Sequence, residues 1–420
     1  MGIELFDSVR GLEMTSETSG KARYDVCIVG GAGHVGAPLA LVLAKHGFRT
    51  LIYDVNRAAL DTLASGKMPF LESGGPELLR EVLPTGRLGW SSDIADLAGI
   101  PQIILTIGTP IDEFHNPMLR VVLDCVDALL PHLSDGQTLI LRSTVFPGVT
   151  DHVDLYLKNH GKQVLVAFCP ERVVQGHSIT ELQTLPQIVS GTTKAAEESA
   201  VRLFSKIAPS IVRMDTQEAE FAKLISNAYR YIQFAATNQF FMMVQSAGLD
   251  YHRLLEGLKR DYPRARDLPG PGFAAGPCLY KDTLQLAAFN STFALGYSAI
   301  QINEGLPAFL LSQISKQYPL GEMTVGLLGM AFKSDSDDIR SSLSYKLKKL
   351  LRFQARQVIS TDPLVTNDPD LIPLDEVIAQ SDLLVLCVPH TVYRGLDVRG
   401  KPVVDIWNLE GTRKNQGSPA

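Results

Sequence analysis

Residues 24–36 read YDVCIVGGAGHVG, and this stretch is the strongest indication of the fold. The apolar run VCIVG leads directly into the pattern G-x-G-x-x-G, formed by Gly31, Gly33 and Gly36, and then into the helical pattern VGAPLALVLAKHG. In a strand–turn–helix unit these glycines allow a tight turn, close approach of the backbone to a pyrophosphate, and packing of the helix on the strand. The stretch therefore predicts a dinucleotide-binding unit. The alternative is a glycine turn in an unrelated α/β unit.

An acidic residue at the end of the next strand strengthens this prediction. Asp54 follows the run RTLIYD and lies 23 residues beyond Gly31, where a carboxylate would accept both ribose hydroxyls. It would repel a 2′-phosphate, so NAD is favoured over NADP, although Arg57 is near. Two further stretches, TIGTP and RSTVFPG, follow strands of the same sheet, where α/β folds bind ligands. The predicted cofactor-binding residues are Gly31, Gly33, His34, Val35, Gly36, Asp54, Arg57, Thr109 and Thr144.

The chain divides into three regions that differ in their sequence pattern. Short apolar runs alternate with helical patterns from 24 to about 210, which is typical of an open, doubly wound parallel sheet. Helix formers dominate from 216 to about 316, and a second strand–helix series runs from 322 to 412. The fold class predicted is α/β, with two Rossmann-like doubly wound domains joined by a long central helix and a helical domain. The predicted segments are an N-terminal extension (1–23), an NAD-binding domain (24–212), a central helical domain (213–318) and a C-terminal domain (319–420).

Composition limits the class of protein. The 420 residues are 45% hydrophobic and 20% charged with a net charge of −6, which is typical of a globular chain and disfavours nucleic-acid binding. No apolar run reaches about 18 residues, so no membrane-spanning segment is predicted. The N-terminus lacks the pattern of a secretory signal. The five cysteines are odd in number and without C-x-x-C spacing, which favours a reducing cytoplasm and disfavours a metal site.

One cysteine and one helix face are candidates for chemistry. Cys278 lies in GFAAGPCLYKD, a glycine-lined loop with a cation nearby that would lower the thiol pKa and create a nucleophile. A buried structural cysteine is the alternative. Lys223, Asn227 and Asn238 share one face of a continuous helix. This face is either a solvated stripe or, because its neighbours are apolar, a binding site.

These motifs together resemble the UDP-glucose/GDP-mannose dehydrogenase family. In order they read GAGHVG, Asp54, IGTP, STVFPG, Pro-Glu at 170–171, E-x-x-K-x-x-x-N at 220–227, GFAAGPCLYKD and FKSDSDDIRSS at 332–342. The resemblance covers about residues 24–412. It implies oxidation of the C6 hydroxyl of a UDP-sugar to a carboxylate by two NAD⁺, through a thiohemiacetal and a thioester on Cys278.

The resemblance also implies roles for individual residues. Lys223 and Asn227 would stabilise the oxyanion, Asp282 would act as base or orient water, and Thr144 and Glu171 would position water or the hydroxyl. The catalytic set is Cys278, Lys223, Asn227, Asp282, Thr144 and Glu171. The substrate-binding set is Glu171, Arg172, Val173, Lys223, Asn227, Asn238, Arg264, Gly272, Phe332, Lys333 and Arg340. The family often forms a homodimer in which an arginine reaches across the interface, and Arg340 is the candidate here.

Some residues depart from the family pattern. Where glucose-oxidising relatives have E-F-L-x-E-G, this chain has Glu171-Arg172-Val173-Val174-Gln175-Gly176, so the second glutamate is a glutamine. The E-R-V form and Arg264 resemble the N-acetylhexosamine branch, whereas the Lys-Asp after Cys278 resembles the glucose branch. The cysteine loop also carries one extra residue. Substrate identity therefore stays open between UDP-glucose and a UDP-N-acetylhexosamine, and GDP instead of UDP is a further alternative.

Two other functions compete with this interpretation. Hydroxyacyl and 6-phosphogluconate dehydrogenases share the glycine motif and a lysine and asparagine on a helix, but they lack the cysteine loop and the third domain. A catalytically silent NAD-binding regulatory protein would be expected to lose Cys278, Lys223 or Asn227, and all three are present.

Overall fold

The computed structural model describes residues 23–112, 118–290 and 292–409. All but one residue of the predicted N-terminal extension lies outside these ranges. The described chain forms an eight-stranded α/β unit, then a group of helices, then a four-stranded α/β unit, which confirms the predicted fold class. None of the helices in these ranges is long and apolar enough to cross a membrane.

The first sheet has the strand order β3-β2-β1-β4-β5-β6-β7-β8. All neighbouring strands are parallel except β6 and β7, so the predicted parallel series contains one antiparallel pair near this edge. The connection between these two strands carries only the short helix α6, which packs on α1, and the chain returns along β6 instead of crossing the sheet. The strands are β1 (Val26–Val29), β2 (Thr50–Tyr53), β3 (Leu88–Ser91), β4 (Gln102–Leu105), β5 (Thr138–Leu141), β6 (Leu165–Phe168), β7 (Gln187–Gly191) and β8 (Ile211–Arg213).

Helices cover both faces of this sheet. One apolar core contains Leu39 and Leu43 of α1, and the other contains Val126 of α4 and Val153 of α5. Burial on both faces explains why the strands read as continuous apolar runs instead of alternating patterns. The helices are α1 (Gly36–Lys45), α2 (Arg57–Ala64), α3 (Gly75–Val82), α4 (Leu119–Leu129), α5 (Val149–Asn159), α6 (Ser178–Thr184) and α7 (Lys194–Phe204).

The central part of the chain begins with a helix of 31 residues, α8 (Thr216–Ser246). It begins at a capping box in which Asp215 and Glu218 each accept from the other residue's backbone N–H. The helix is unbroken, as predicted. Asn227 and Asn238 therefore lie on one face of it. Three helices follow: α9 (Tyr251–Lys259), α10 (Leu279–Phe289) and α11 (Ala294–Gln317).

A buried carboxylate anchors α8 to the first unit. Glu220 is fully buried and accepts hydrogen bonds from the backbone N–H of Gly148 at 2.6 Å and from the N–H and hydroxyl of Thr150 at 2.8 and 2.6 Å. These groups lie at the N-terminus of α5, where a carboxylate satisfies orphan N–H groups. Burial nevertheless raises the pKa of Glu220. The glutamate of the E-x-x-K-x-x-x-N pattern therefore fixes the position of the lysine and asparagine that follow it.

The second sheet has four parallel strands in the order β10-β9-β11-β12. It packs on α8 and α11 through a shared apolar core that includes Phe241, Leu310, Val325 and Leu347. Its elements are β9 (Thr324–Leu328), α12 (Leu343–Leu351), β10 (Gln357–Thr361), α13 (Leu374–Gln380), β11 (Leu383–Leu386) and β12 (Val403–Asp405).

The turn after β9 has the shape of the turn after β1 but a different chemistry. Gly329 has φ +93° as Gly30 has φ +75°, and Asp362 accepts from the N–H groups of Met330 and Ala331. The same carboxylate is bound by the fully buried His390 at 3.0 Å. Bulky side chains replace the glycines and the carboxylate is committed within the protein, so this turn does not offer a second dinucleotide site.

Candidate active site

The glycine turn after β1 leaves open space where a ligand could approach the backbone. A Cβ at Gly31 would lie 2.6 Å from the Ile28 carbonyl oxygen, and one at Gly36 would lie 2.6 Å from the Gly30 oxygen. Both positions therefore require glycine for packing. A Cβ at Gly33 would meet only the Gly30 oxygen at 3.5 Å. The open position at Gly33 suits close approach of a pyrophosphate.

Asp54 lies at the edge of the same turn. Its Oδ2 accepts from the N–H of Ala32 at 3.0 Å and its Oδ1 from the N–H of Asn56 at 2.9 Å. These bonds orient a partly exposed carboxylate at the end of β2, where it fits a ribose diol. Arg57 is exposed at the first residue of α2.

His34 and Val35 complete the predicted cofactor set in this turn. The His34 ring stacks on Phe70 with centroids 4.1 Å apart. Burial and the charge of Arg340 lower the pKa of His34, against smaller opposite effects of Asp338 and Asp337. Val35 is the residue before α1 and makes no side-chain cap. The second α/β unit contacts the first close to Phe70, where the Leu71 N–H donates to Asp337 at 3.0 Å.

Thr109 and Thr144 lie together beyond β4 and β5. The hydroxyl of Thr109 donates to the Thr144 carbonyl at 2.7 Å. Lys281 of α10 donates to the carbonyl and the hydroxyl of Thr109 at 3.0 and 3.1 Å. Lys281 thus joins the cysteine helix to the cofactor domain, a function that its place beside Asp282 in the sequence did not reveal.

The cysteine loop brings three predicted residues together. Cys278 is exposed and precedes α10, and Asp282 is 1% exposed one turn later. Asn227 of α8 donates to Asp282 Oδ2 at 2.6 Å, so part of its amide is bound to this carboxylate. Asp282 Oδ1 has no hydrogen-bond partner among the described residues, and Lys281 is 3.5 Å from it. A buried carboxylate with one free oxygen beside a thiol is suited to binding water or a hydroxyl.

The charges around Cys278 oppose one another. Although Cys278 as a whole residue is exposed, the surrounding protein desolvates its thiol, and this desolvation and, next, the carboxylate of Asp282 raise the thiol pKa, whereas Lys223, Lys281 and Arg340 act to lower it. The nearby cations thus act in the expected direction, but the raising effects are larger and the thiol pKa lies above its ordinary value. The same result places Lys223 and Arg340 within electrostatic reach of the sulfur.

Glu171 is held inside the protein. Its Oε2 accepts from Arg142, a fully buried arginine, and its Oε1 accepts from the N–H groups of Arg172 and Val173 at 2.8 and 3.0 Å. Both oxygens are occupied, which differs from the predicted role of positioning water or the substrate hydroxyl. Arg172 and Val173 act here through their backbone, and the Arg172 side chain donates to the Pro186 carbonyl.

Arg142 is a residue that the sequence did not single out. It also donates to the Cys169 carbonyl at 3.0 Å and to Gln187 Oε1 at 3.1 Å, and its guanidinium lies 5.0 Å from the centre of the Phe204 ring. An arginine at the end of an apolar strand was the only signal in the sequence. It fixes the Pro-Glu turn below the site.

Asn238 is buried and bound to the cysteine loop. Its amide exchanges hydrogen bonds of 3.0 and 2.9 Å with the backbone of Gly272 and donates to Asn303 at 2.9 Å. Gly272 has φ +152°, and its missing Cβ makes room for the Trp407 ring. The prediction that Asn238 contacts the sugar or diphosphate is therefore replaced by a positioning role: it holds the start of the loop.

The second α/β unit closes over this loop. The Phe332 ring lies against Gly276, where a Cβ would be 2.5 Å from the ring, and Lys333 donates to the Gln175 carbonyl. Burial lowers the pKa of Lys333. Phe332 and Lys333 are thus near the cysteine loop and the first unit, and their contact with the substrate stays a prediction.

Arg340 pairs with its own chain. Its guanidinium binds Asp338 through bonds of 2.6 to 3.0 Å. Burial raises the pKa of Asp338, whereas these bonds lower it. The resulting pKa lies below the ordinary value of an aspartate. Arg340 also lies near enough to Cys278 of the same chain to influence the pKa of its thiol, and its contact across a dimer stays a prediction. Arg264 is exposed and its guanidinium lies over Tyr262, 5.9 Å from the ring centre, so the structure does not bring it to the thiol.

The glycine turn, the buried polar groups beside a thiol and the second unit that closes over them are the arrangement expected of a nicotinamide-dependent dehydrogenase. Sequence models of the UDP-glucose/GDP-mannose dehydrogenase family match the chain as its NAD binding domain (24–208), central domain (217–304) and UDP binding domain (326–411). The chain belongs to this family and is an NAD-dependent nucleotide-sugar dehydrogenase.

Known relatives agree with this assignment. The UDP-N-acetyl-D-mannosamine dehydrogenase of Pyrococcus horikoshii is 28% identical over 399 residues, 90% of this chain and 94% of the relative. The NDP-N-acetyl-D-galactosaminuronic acid dehydrogenase of Ralstonia nicotianae is 26% identical over 401 residues, 89% and 94% of the two chains. The solved structure of UDP-D-ManNAc dehydrogenase from Pyrococcus horikoshii superimposes with a TM-score of 0.84 at 26% identity, covering 91% of this chain and 95% of that one.

Proposed function

We propose that this chain oxidises the C6 hydroxyl of a UDP-N-acetylhexosamine to a carboxylate in two hydride transfers, with Cys278 as the covalent nucleophile. The single observation that carries the proposal is the cluster around the thiol: Asp282 with a free buried oxygen, Asn227 bound to it, and Lys223 within electrostatic reach. The cysteine loop meets the first unit through Lys281 and Thr109 and the second unit through Gly276 and Phe332, so cofactor and sugar nucleotide would both be within reach of the cluster.

The chemistry balances on these residues. Bound NAD⁺ supplies the hydride acceptor, two equivalents per sugar. The C6 alcohol loses a hydride and, to a base, a proton, which leaves an aldehyde. The Cys278 thiolate adds to the aldehyde carbon and the oxygen gains a proton, giving a thiohemiacetal. Loss of a second hydride and of that proton gives a thioester. Water adds to its carbonyl, the carbon–sulfur bond breaks, and the carboxylate and the thiol are released.

Each polar group of the cluster has a proposed role in these reaction steps. Lys223 and the remaining amide proton of Asn227 would stabilise the oxyanion that forms when sulfur or water adds to the carbon. Asp282 would take the proton from the attacking water through its free oxygen. Because burial and Asp282 raise the pKa of Cys278, the thiolate must form with help from the neighbouring cations or from the bound ligands.

Two observations favour an N-acetylhexosamine. The two relatives described above are named for N-acetylated sugars. The chain also has Glu171-Arg172-Val173, and Gln175 in place of the glutamate of the glucose-oxidising pattern. UDP-glucose is the second candidate because the Lys281-Asp282 pair after the cysteine follows the glucose branch.

The test is the number of NADH molecules formed per sugar, measured by absorbance with UDP-glucose, UDP-N-acetylglucosamine, UDP-N-acetylmannosamine, UDP-galactose and GDP-mannose. Two NADH per molecule of an N-acetylated UDP-sugar, lost in Cys278→Ala, is the expected result. One NADH per sugar would refute the role of Cys278. Absence of turnover on every sugar, with NAD still bound, would favour a silent regulatory protein.

We also propose a homodimer built on α8. Ile225, Tyr229, Phe240 and Met243 are 51%, 60%, 47% and 60% exposed, and at 100° per residue they fall within a stripe about 60° wide. Phe240 and Met243 continue into an apolar groove that also contains Leu254. A second copy of the same helix is the occupant that fits a long apolar stripe, because the same stripe on the partner would cover it about a two-fold axis.

A further inference from the structure

The loop that carries Cys278 is in contact with two aromatic rings of the second α/β unit, one at each of two glycines. A Cβ at Gly272 would lie 2.2 Å from Cζ3 and 2.4 Å from Cη2 of Trp407, and a Cβ at Gly276 would lie 2.5 Å from the Phe332 ring. At both positions the ring therefore lies closer to the backbone than any residue with a Cβ would permit. The reaction steps proposed above assign no role to Trp407.

The Trp407 ring is itself fixed by the second sheet. Its Nε1 donates to the Cys387 carbonyl at 3.0 Å, directly after β11, and its backbone N–H donates to Asp405 Oδ1 at 2.9 Å, at the end of β12. The ring also packs against the apolar cores on both sides of this sheet. A displaced loop would therefore meet a ring that is held in place.

Two further contacts hold the same glycines. The Asn238 amide binds both backbone groups of Gly272, at 3.0 and 2.9 Å. The Gly276 N–H donates to the Ser341 carbonyl at 3.4 Å. Ser341 has φ +54°, a backbone conformation that is strained for a residue with a side chain and persists only where its surroundings require it. The loop is thus held at both glycines, and Cys278 follows the second of them by two residues.

We propose that Trp407 is a positioning residue for the nucleophile: its ring holds the start of the cysteine loop, and through the loop it holds the thiol of Cys278 where Asp282 and Lys223 act on it. This role rests on the proposed function, because Trp407 acts only through Cys278. A misplacement of about 1 Å at a reacting group can cost on the order of 100-fold in rate. Since Trp407 lies in the part of the chain matched as the UDP binding domain, that domain takes part in placing the thiol.

The experiment compares the wild type, Trp407→Ala and Trp407→Phe. The matched control is Phe353→Ala, which removes an aromatic ring that is 89% exposed on the same unit. The rate of Cys278 alkylation by iodoacetamide is measured against pH without ligands, with the labelled peptide identified by mass spectrometry. The kcat is measured with the sugar nucleotide that the wild type oxidises, and NADH binding is measured by calorimetry.

A loosened loop gives water access to the thiol, so Trp407→Ala should move the alkylation profile to lower pH and raise the rate near neutral pH about threefold or more. The kcat should fall about tenfold or more because the thiol is misplaced. NADH binding should stay at the wild-type value, since the glycine turn is unchanged. Trp407→Phe keeps a smaller ring and should show the same changes at lower magnitude, whereas Phe353→Ala should show none.

An alkylation profile in folded Trp407→Ala that matches the wild type, or equal changes in Phe353→Ala, would overturn the inference. Labelling of the buried Cys27 and Cys169 would also overturn it, because the variant would then act through unfolding of the first domain. If Trp407→Ala does not fold, the same criteria apply to Trp407→Phe. Alkylation does not depend on turnover. A wrong role for Cys278 would therefore leave alkylation sensitive to Trp407 with kcat unchanged, which distinguishes the two failures.

Discussion

The side-chain amide of Gln175 donates to Asp338 Oδ2 at 3.0 Å and so connects the NAD-binding domain with the UDP-binding domain. Lys333 reaches back to the Gln175 carbonyl, and the Leu71 N–H donates to Asp337 at 3.0 Å in the same contact. A glutamate at position 175 would place two carboxylates side by side. The amide of Gln175 therefore makes a hydrogen bond to an acid that an ionised glutamate at this position would not make.

We expect Gln175→Glu to weaken this contact between domains. Opposed carboxylates repel and the hydrogen bond is lost, which costs about 1–3 kcal/mol. Because Lys333 and Arg340 are held by the same contact, the KM for the sugar nucleotide should rise by about tenfold with a smaller change in kcat. Steady-state kinetics and the melting temperature measure both effects.

The reciprocal pair is the control. In the double variant Gln175→Glu with Asp338→Asn, an acid again faces an amide. The melting temperature and KM should therefore return part of the way to their wild-type values. If the double variant is as impaired as the sum of the two single variants, the two side chains do not act as a pair.

Arg142→Met should destabilise the first domain strongly. The substitution leaves the Glu171 carboxylate buried without its cation and removes the bonds to Cys169 and Gln187. Breaking a buried ion pair on one side costs about 3–5 kcal/mol, or a fall of about 10 °C in the melting temperature. Thermal unfolding followed by circular dichroism gives the shift.

The matched control is Arg120→Met, which removes an exposed arginine paired with Asp124 on α4. We expect little change there, because exposed pairs contribute little. Adding Glu171→Gln to Arg142→Met should restore part of the stability by removing the unpaired charge. Equal shifts for Arg142→Met and Arg120→Met would contradict the importance of the buried pair.

Alkylation of Cys278 by iodoacetamide should report the charges around the thiol. Since its pKa is raised, mainly by burial and then by Asp282, the rate should still be increasing with pH above the ordinary thiol range. Asp282→Asn removes a negative charge and should move the profile to lower pH. Lys223→Met removes a positive charge and should move it to higher pH.

Mass spectrometry distinguishes Cys278 from the other four cysteines, of which Cys27, Cys169 and Cys387 are buried. Cys278→Ala should abolish labelling of the peptide. A profile that moves in the same direction in both charge variants would show that the substitutions act on access to the thiol instead of its charge.

The apolar stripe on α8 predicts that Ile225→Glu and Met243→Glu, separately, weaken the dimer by about tenfold or more, because each places a charge in an apolar contact. Sedimentation at several protein concentrations measures the dissociation constant. Leu155→Glu is the matched control, since Leu155 is 56% exposed on α5 and lies outside the stripe. A monomer in the wild type would refute the dimer.

Several features could be predicted because their causes are local. The strand–glycine–helix unit after β1, the acid at 54 and the unbroken helix from 216 to 246 follow from residue spacing and from propensities over short stretches. The same is true of the second strand series, whose apolar runs became β9 to β12. The antiparallel β7 was not predictable in this way, since strand direction depends on how the preceding connection packs.

The site residues show the same difference between local features, which the sequence predicts, and long-range contacts, which it does not. The sequence by itself identified Cys278, Asp282, Lys223 and Asn227 as chemically competent groups in the motifs of one family, and it placed Asp54 and the glycines in a dinucleotide turn. It could not determine which groups stay available to ligands.

Only the tertiary structure decided that both oxygens of Glu171 are held by Arg142 and backbone, that Asn238 binds the loop at Gly272, and that the Trp407 ring lies against the same glycine. It also decided that Lys281 meets Thr109 across 172 residues of sequence. The physical reason is that propensity and periodicity act over a few residues, whereas hydrogen-bond partners and desolvation depend on which surfaces meet when the domains pack.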